Sequence, residues 1–314
     1  MNRPGGDTGY GVTTIDAQYI KPGIASLQLL IAAGHAAFID TGTSRSLPHV
    51  AEVLAAKGIA TGSVDFVIPT HVHLDHAGGA GAMMRAFPNA RLIVHPRGAR
   101  HMIDPARLWQ GTLDVYGEIT ARKLYGELIP VEEHRVVIAG DNFELDFHGR
   151  RLRFLDTPGH ARHHLCVVDA ENRLIFAGDT LGISYRMFDG PNGPFVFPTS
   201  SPVQFEPDAL HRSIDRLMSS DPHYLYLTHF GKIAASSKIA DALHRQINGF
   251  VSIATGNSGS AQPIELRKQI AGYMLEEAKL HGVPLPDNEI RAGLAMDAKL
   301  NADGIAVWLS RQKH

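Results

Sequence analysis

The sequence predicts an α/β protein whose strands and helices interleave twice, followed by a helix-rich C-terminal stretch. Three observations predict it. Short apolar runs of β type recur between residues 26 and 229, separated by helical patterns and by turns rich in Gly and Pro. The roughly 70 residues after His244 hold helix-period patterns and no strand runs. The residues best suited to chemistry stand at the carboxyl ends of expected strands, where α/β sheets assemble their sites.

Composition narrows the class. Of 314 residues, 44% are hydrophobic and 20% charged, which is globular usage and excludes a disordered chain or a coiled coil. Lys+Arg 30 against Asp+Glu 32 gives a net charge of -2, which argues against nucleic-acid or anionic-membrane partners and leaves a small molecule as the expected one. The one cysteine excludes a disulfide framework and a cysteine-based zinc site. The N-terminal residues lack a basic start followed by an apolar run, and no segment has the length of a membrane span, so a cytoplasmic protein is expected. Histidine, at 18 residues, is the surplus to explain.

In order, Ser26 to Ala32 and His35 to Gly42 flank Gly34 and read as a hairpin. Leu47 to Gly58 has helical apolar spacing and a glycine stop. Val64 to Thr70 is a buried-strand run, then come a helix rich in Ala and Gly and the strand Arg91 to His95. A less regular stretch runs to about Pro130. The runs DNFELDFHG, RLRFLDTPG, HLCVVDA and RLIFAGD follow as strands, with Cys166 an apolar filler in the third. An irregular loop from Thr180 to Pro207 precedes a helix, the strand His223 to His229, and helices that include 262–282 and 301–312. The expected division is a catalytic domain over 1–244 and a helical extension over 245–314. Those last helices serve either to cover the chain's own core or to form a homodimer.

The motif HVHLDH follows a strand and presents His71, His73, Asp75 and His76. In an extended chain, residues two apart project to one side, so His71 and His73 grip one ion, Asp75 continues the alternation and His76 points to a neighbouring position. One loop thus serves two cations some 3.5–4 Å apart. Imidazole and carboxylate suit Zn²⁺, Fe or Mn²⁺. Further ligands stand at other strand ends: His160 in DTPGHARHH, Asp179 in IFAGDT and His229 in YLYLTHFG.

Through HVHLDHAGG, TPGHARHH, FAGDT and LTHFG, the sequence resembles the metallo-β-lactamase superfamily from about Ser26 to Gly231. The resemblance implies a four-layer αββα sandwich with the metals in a cleft at one edge of its two sheets. It implies that His71, His73 and His160 hold a first ion, that Asp75, His76 and His229 hold a second, and that Asp179 bridges them. A metal-activated hydroxide is then the nucleophile, with Asp75 as ligand and proton carrier. The expected activity is hydrolysis of a small ester, thioester or lactone with two divalent ions, zinc first. The alternative is a mononuclear-iron oxidoreductase of the persulfide dioxygenase type, whose ligands match His71, His160 and Asp179; a complete second site argues for hydrolysis. Departures keep the subfamily open. The chain reads LTHFGK where glyoxalase II-like enzymes carry a different context, and Gly182 stands where quorum-signal lactonases carry Tyr.

Around this set, His164 is either a residue that orients a ligand or a strand-start histidine facing solvent, and His163 and Arg162 are expected on the solvent side. Tyr185 and Arg186 are either substrate contacts or loop packing, and Lys232 either meets an anionic group or is solvated. Phe188, Phe195 and Phe197 either wall a pocket or form the loop's own core. Gly78, Gly79 and Gly81 read as close backbone packing, since no phosphate-loop pattern accompanies them. The other twelve histidines show no pattern.

Overall fold

A computed structural model describes residues 6–7, 9–200, 203–256 and 263–312. The chain divides into two compact units. The first is Met1–Asp156, His163–Gly178 and Pro222–Lys232; the second is Thr157–Arg162, Asp179–Asp221 and Ile233–His314.

The first unit carries both sheets except the last two residues, Ile233 and Ala234, of one edge strand. One sheet runs in the order β1 (Gly6–Asp7), β2 (Val12–Asp16), β3 (Ser26–Ala32), β4 (His35–Ile39), β5 (Val64–Ile68), β6 (Arg91–Val94) and β7 (Val136–Ile138). It is antiparallel through β4 and parallel from β4 to β7. The other sheet contains β8 (Phe143–Phe147), β9 (Arg150–Asp156), β10 (Leu165–Asp169), β11 (Leu174–Gly178), β12 (Tyr224–Leu227) and β13 (Gly231–Ala234). Its β8 to β11 are antiparallel and β12 is parallel to β11.

The expected hairpin is β3–β4, with Ala32 opposite His35 and a two-residue turn in which Ala33 and Gly34 both have positive φ. Its apolar run is continuous because both faces are covered. Leu29 and Phe38 lie in the cluster with Val50, Leu54 and Met83 of helices α1 (Leu47–Ala56) and α3 (Ala80–Ala86). Leu30 and Ala37 lie in the cluster between the sheets with Phe147, Phe154, Phe176 and Tyr226.

A buried ion pair fixes the second sheet. Arg150 donates from Nε to Asp169 Oδ2 at 2.5 Å, and Asp169 also accepts from the backbone N–H and side chain of Asn172. Removing one partner strands the other charge in the interior, so Arg150→Met lowers stability by about 3–5 kcal/mol in denaturant unfolding. A loss under about 1 kcal/mol would show the pair to be idle.

The stretch expected to be irregular contains three helices, α4 (Ala99–Ile103), α5 (Ala106–Tyr116) and α6 (Glu118–Tyr125). They escape sequence reading because they are short, mostly exposed and broken by Gly117 at φ +73.

In the second unit, α7 (Pro207–Met218), α8 (Ser237–Gly256), α9 (Pro263–His281) and α10 (Asp287–Arg311) accompany the irregular 180–207 segment. The expected boundary at 244 falls inside α8. The segment is also fastened to α10. Ser200 N–H donates to Asn301 Oδ1 at 2.6 Å, and Tyr185 donates from its hydroxyl to Asp297 Oδ1 at 3.0 Å. Phe188, Phe195 and Phe197 are buried, the Phe195 ring contacting the other two and His281 of α9, so they pack as core and wall no open pocket face. The expected helices 262–282 and 301–312 are α9 and the last half of α10; Gln262 and Gln312's C-terminal neighbours lie outside the described residues. Among the described residues, no helix is long and apolar enough to cross a membrane.

Candidate metal centre

β4 and β5 run parallel and end side by side at Ile39 and Ile68, with Asp40 and Thr70 just beyond. Asp40 adopts φ +59 and is buried. Its Oδ1 accepts from the Thr70 N–H at 2.7 Å and the Thr70 hydroxyl at 2.9 Å. Its Oδ2 lies 2.9 Å from His76 Nδ1 and accepts from the Thr228 hydroxyl at 2.5 Å. This one carboxylate therefore joins the ends of β4, β5 and β12. Sequence reading passed over Asp40, although FIDTG carries the same signal used for the ligands, an acid just past a strand.

The expected alternation through Asp75 is corrected. Extended backbone ends at His73, which caps the helical turn α2 (Leu74–Ala77). Asp75 and His76 are therefore successive residues of one helical turn, with Asp75 Oδ2 3.9 Å from His76 Nε2. The turn then packs tightly. A Cβ on Gly79 would meet the Thr43 carbonyl oxygen at 2.7 Å, and one on Gly81 would meet the Ile129 carbonyl oxygen at 1.9 Å. Backbone cannot yield as a side chain does, so Gly81→Ala costs about 1–3 kcal/mol, read as a lower unfolding midpoint. An unchanged midpoint would contradict the close packing.

Asp75, His76 and His229 form a group whose ligand atoms all lie within 4.8 Å of one another. Hydrogen bonding decides which nitrogens face inward. His229 Nδ1 lies 2.7 Å from the Ile24 carbonyl oxygen, which only accepts, so Nδ1 carries the hydrogen. His76 Nδ1 faces the Asp40 carboxylate and carries one for the same reason. In the neutral rings both Nε2 atoms then present lone pairs, 3.3 Å apart, with Asp75 Oδ2 at 3.4 Å from one and 3.9 Å from the other. Two lone pairs and a carboxylate repel unless a cation lies among them. This donor set fits a divalent metal ion.

His71 and His73 come together in the same unit, with His71 Nε2 2.8 Å from His73 Nδ1. Thr70 donates its hydroxyl hydrogen to Asp40, so its oxygen accepts from His71 Nδ1 at 3.2 Å and turns Nε2 toward His73. His164 is fully buried, its ring stacked on His71 at 4.8 Å between centroids, which settles it as packing against a ligand candidate and not facing solvent. It fits only because residue 178 is glycine: a Cβ there would meet His164 Nε2 at 2.5 Å. The solvent-side expectation for His163 is also corrected. It is buried and accepts from the Val72 N–H at 3.4 Å, while Arg162 is exposed and bonds Glu206 as expected.

Within the second unit, His160 Nδ1 lies 3.2 Å from the Thr199 carbonyl oxygen and therefore carries the hydrogen. Its Nε2 faces Asp179 Oδ2 at 3.5 Å, and both residues are buried.

The three residues offered either as substrate contacts or as packing each have a partner within the chain. Tyr185 is held by Asp297, Arg186 pairs with Asp189 at 3.2 Å, and the Lys232 ammonium lies 3.7 Å from the centre of the Tyr224 ring. Two residues absent from the sequence reading lie close enough to feel Asp75. Tyr19 and Tyr125 share a hydrogen bond of 3.0 Å between their hydroxyls. Burial and then the Asp75 charge push the Tyr19 phenol well above its usual range; burial, Tyr19 and Asp75 do the same to Tyr125. Both stay protonated at any working pH. They come from segments more than 100 residues apart, and no local pattern marks them.

Two sheets in one unit and His/Asp groups at their strand ends define the class. The model of the metallo-beta-lactamase superfamily matches residues 23–229, and the chain belongs to that superfamily. Its fold is the α/β sandwich that the motifs implied. The chain is 27% identical over 267 residues to the metallo-beta-lactamase fold-containing protein ST1585 of Sulfurisphaera tokodaii, covering 83% of this chain and 93% of that one. It is 26% identical over 198 residues to a hydroxyacylglutathione hydrolase of Aeromonas hydrophila, covering 62% of this chain and 57% of the enzyme. The structure of the metallo-beta-lactamase family protein TTHA1429 from Thermus thermophilus superposes with a TM-score of 0.69 at 20% identity, covering 98% of this chain and 95% of that one.

Proposed function

We propose that this chain is a dinuclear metal-dependent hydrolase of a small ester, thioester or lactone. The observation that carries the reading is the group Asp75, His76 and His229, with two imidazole Nε2 atoms facing each other at 3.3 Å. An enzyme needing only His71, His160 and Asp179 has no use for it, so the iron-oxidoreductase alternative takes second place. In this proposal His71, His73 and His160 would hold one ion and Asp75, His76 and His229 the other, with Asp179 as a further ligand. Zinc is the ion assigned, since neutral imidazole and carboxylate suit it. The cytoplasm is the proposed compartment.

Bound there, divalent cations would supply hydroxide near neutral pH and polarisation of a carbonyl oxygen. The chain's own residues do the rest. Asp40, the Ile24 carbonyl and the Thr199 carbonyl fix three imidazoles in the tautomer whose Nε2 carries no hydrogen. Asp75, more exposed than the histidines of its group, accepts the proton of the attacking water and returns it to the leaving group. The acyl-thioester reading draws support from the similarity to the hydroxyacylglutathione hydrolase.

A panel of esters, thioesters, lactones and phosphodiesters tests the reading. Hydrolysis of an acyl substrate that chelator abolishes and Zn²⁺ restores is the expected result. Oxygen uptake dependent on a thiol and one iron, with no hydrolysis, would overturn it.

A further inference from the structure

The first unit holds a second His/carboxylate group, well removed from the candidate metal centre. His35, Asp65 and His148 place one ligand atom each within 4.8 Å of one another. His35 opens β4 and Asp65 is near the start of β5, the ends of these strands opposite Asp40 and Thr70. Six residues of extended chain separate Asp65 from His71, about 20 Å at the rise of a strand.

The placement comes from two tight turns. His35 directly follows the Ala33–Gly34 turn of the first sheet. His148 occupies the two-residue turn between β8 and β9 of the other sheet, where Phe147 faces Arg150 and both His148 and Gly149 have positive φ. Such turns fix the backbone, and each carries its ring to one side of the same carboxylate. Asp65 Oδ2 lies 2.9 Å from His35 Nδ1 and 2.6 Å from His148 Nε2. The two rings stack at 3.8 Å between centroids, so they share one approach to the carboxylate.

We infer that His35, Asp65 and His148 form a second, surface metal site that takes a divalent transition ion such as Zn²⁺ and clips the two sheets together at this end. Two imidazoles and one carboxylate are a recurring set for such ions, and the partial exposure of all three leaves a coordination position for water. Ligand atoms around a tetrahedral zinc stand about 3.3 Å apart for bonds of about 2.0–2.1 Å, so the group opens by roughly half an ångström on binding. Half-exposed rings on turn tips permit that shift. Without metal the near nitrogens, His35 Nδ1 and His148 Nε2, donate to Asp65; on binding each gives up that hydrogen, the neutral ring carries its hydrogen on the far nitrogen, and the ion replaces the two N–H bonds. These are two of the twelve histidines without pattern in the sequence, because the group draws on positions 35, 65 and 148 and no spacing links them.

The inference does not depend on the proposed hydrolase, and its test separates the two. Full-length protein, loaded with Zn²⁺ and dialysed, is titrated calorimetrically with Zn²⁺ alone near pH 7.5. One additional equivalent is expected. His35→Ala and His148→Ala each weaken it at least tenfold, and the double variant loses it while any hydrolytic activity is unchanged. Zn²⁺ also raises the melting temperature of the parent and not that of the double variant, which shows the clip directly. An additional equivalent that persists in the double variant belongs to other surface histidines and overturns the assignment, as does the absence of any additional equivalent. A chain inactive toward every acyl substrate that still shows the equivalent and its loss supports this site and counts against the hydrolase.

Discussion

Asp75→Ala is expected to lower kcat/KM for the acyl substrate by about 10³-fold or more, since positioned proton transfer alone contributes about 10²–10⁴-fold. The substitution removes an oxygen that faces both His229 Nε2 and His76 Nε2. Bound metal should therefore fall together with activity. Asp75→Asn separates the two roles, because its amide keeps an oxygen that can ligate and cannot take the proton. Metal retained in Asp75→Asn with activity still lost by about 10²-fold or more is the predicted pattern. Full activity in either variant would remove Asp75 from the mechanism.

Asp40→Ala is expected to be the most destabilising change near the centre. Four groups converge on that buried carboxylate: the Thr70 N–H, the Thr70 and Thr228 hydroxyls and His76 Nδ1. Truncation leaves them without their acceptor, at about 1–3 kcal/mol for each group that water does not reach. A loss of about 3–5 kcal/mol in unfolding free energy is predicted, and metal affinity should drop a further 10–100-fold because His76 is no longer held in its tautomer. Asp40→Asn keeps the shape and an oxygen, and should recover part of the stability but not the affinity. Equal stability of Asp40→Ala and the parent would contradict the role given to this residue.

The sequence made the strands and the ligand candidates legible for a physical reason. A strand buried on both faces must be a short apolar run, and a polar cluster at its end is out of place unless it is used. SLQLLIA and VDFVI show the first property and HVHLDH the second. What stayed hidden depends on tertiary contact. Asp40 looks like any acid after a strand until β5 and β12 deliver Thr70 and Thr228 to it. His163 reads as a surface residue until Val72 bonds it. The α4–α6 helices stay hidden because they are short and are interrupted at Gly117 and Gly126, each at φ +73. Strand runs cease before 244, and no sequence pattern marks the bonds by which Asn301 and Asp297 tie α10 to Ser200 and Tyr185.

The most direct test of the central claim is the metal content of natively purified chain, measured in the His35→Ala/His148→Ala background so that the surface site does not contribute. The account predicts about two equivalents of divalent metal per chain, falling to about one or less on His229→Ala. One equivalent of iron that is unaffected by His229→Ala, or a metal-free chain that hydrolyses its substrate, would contradict it.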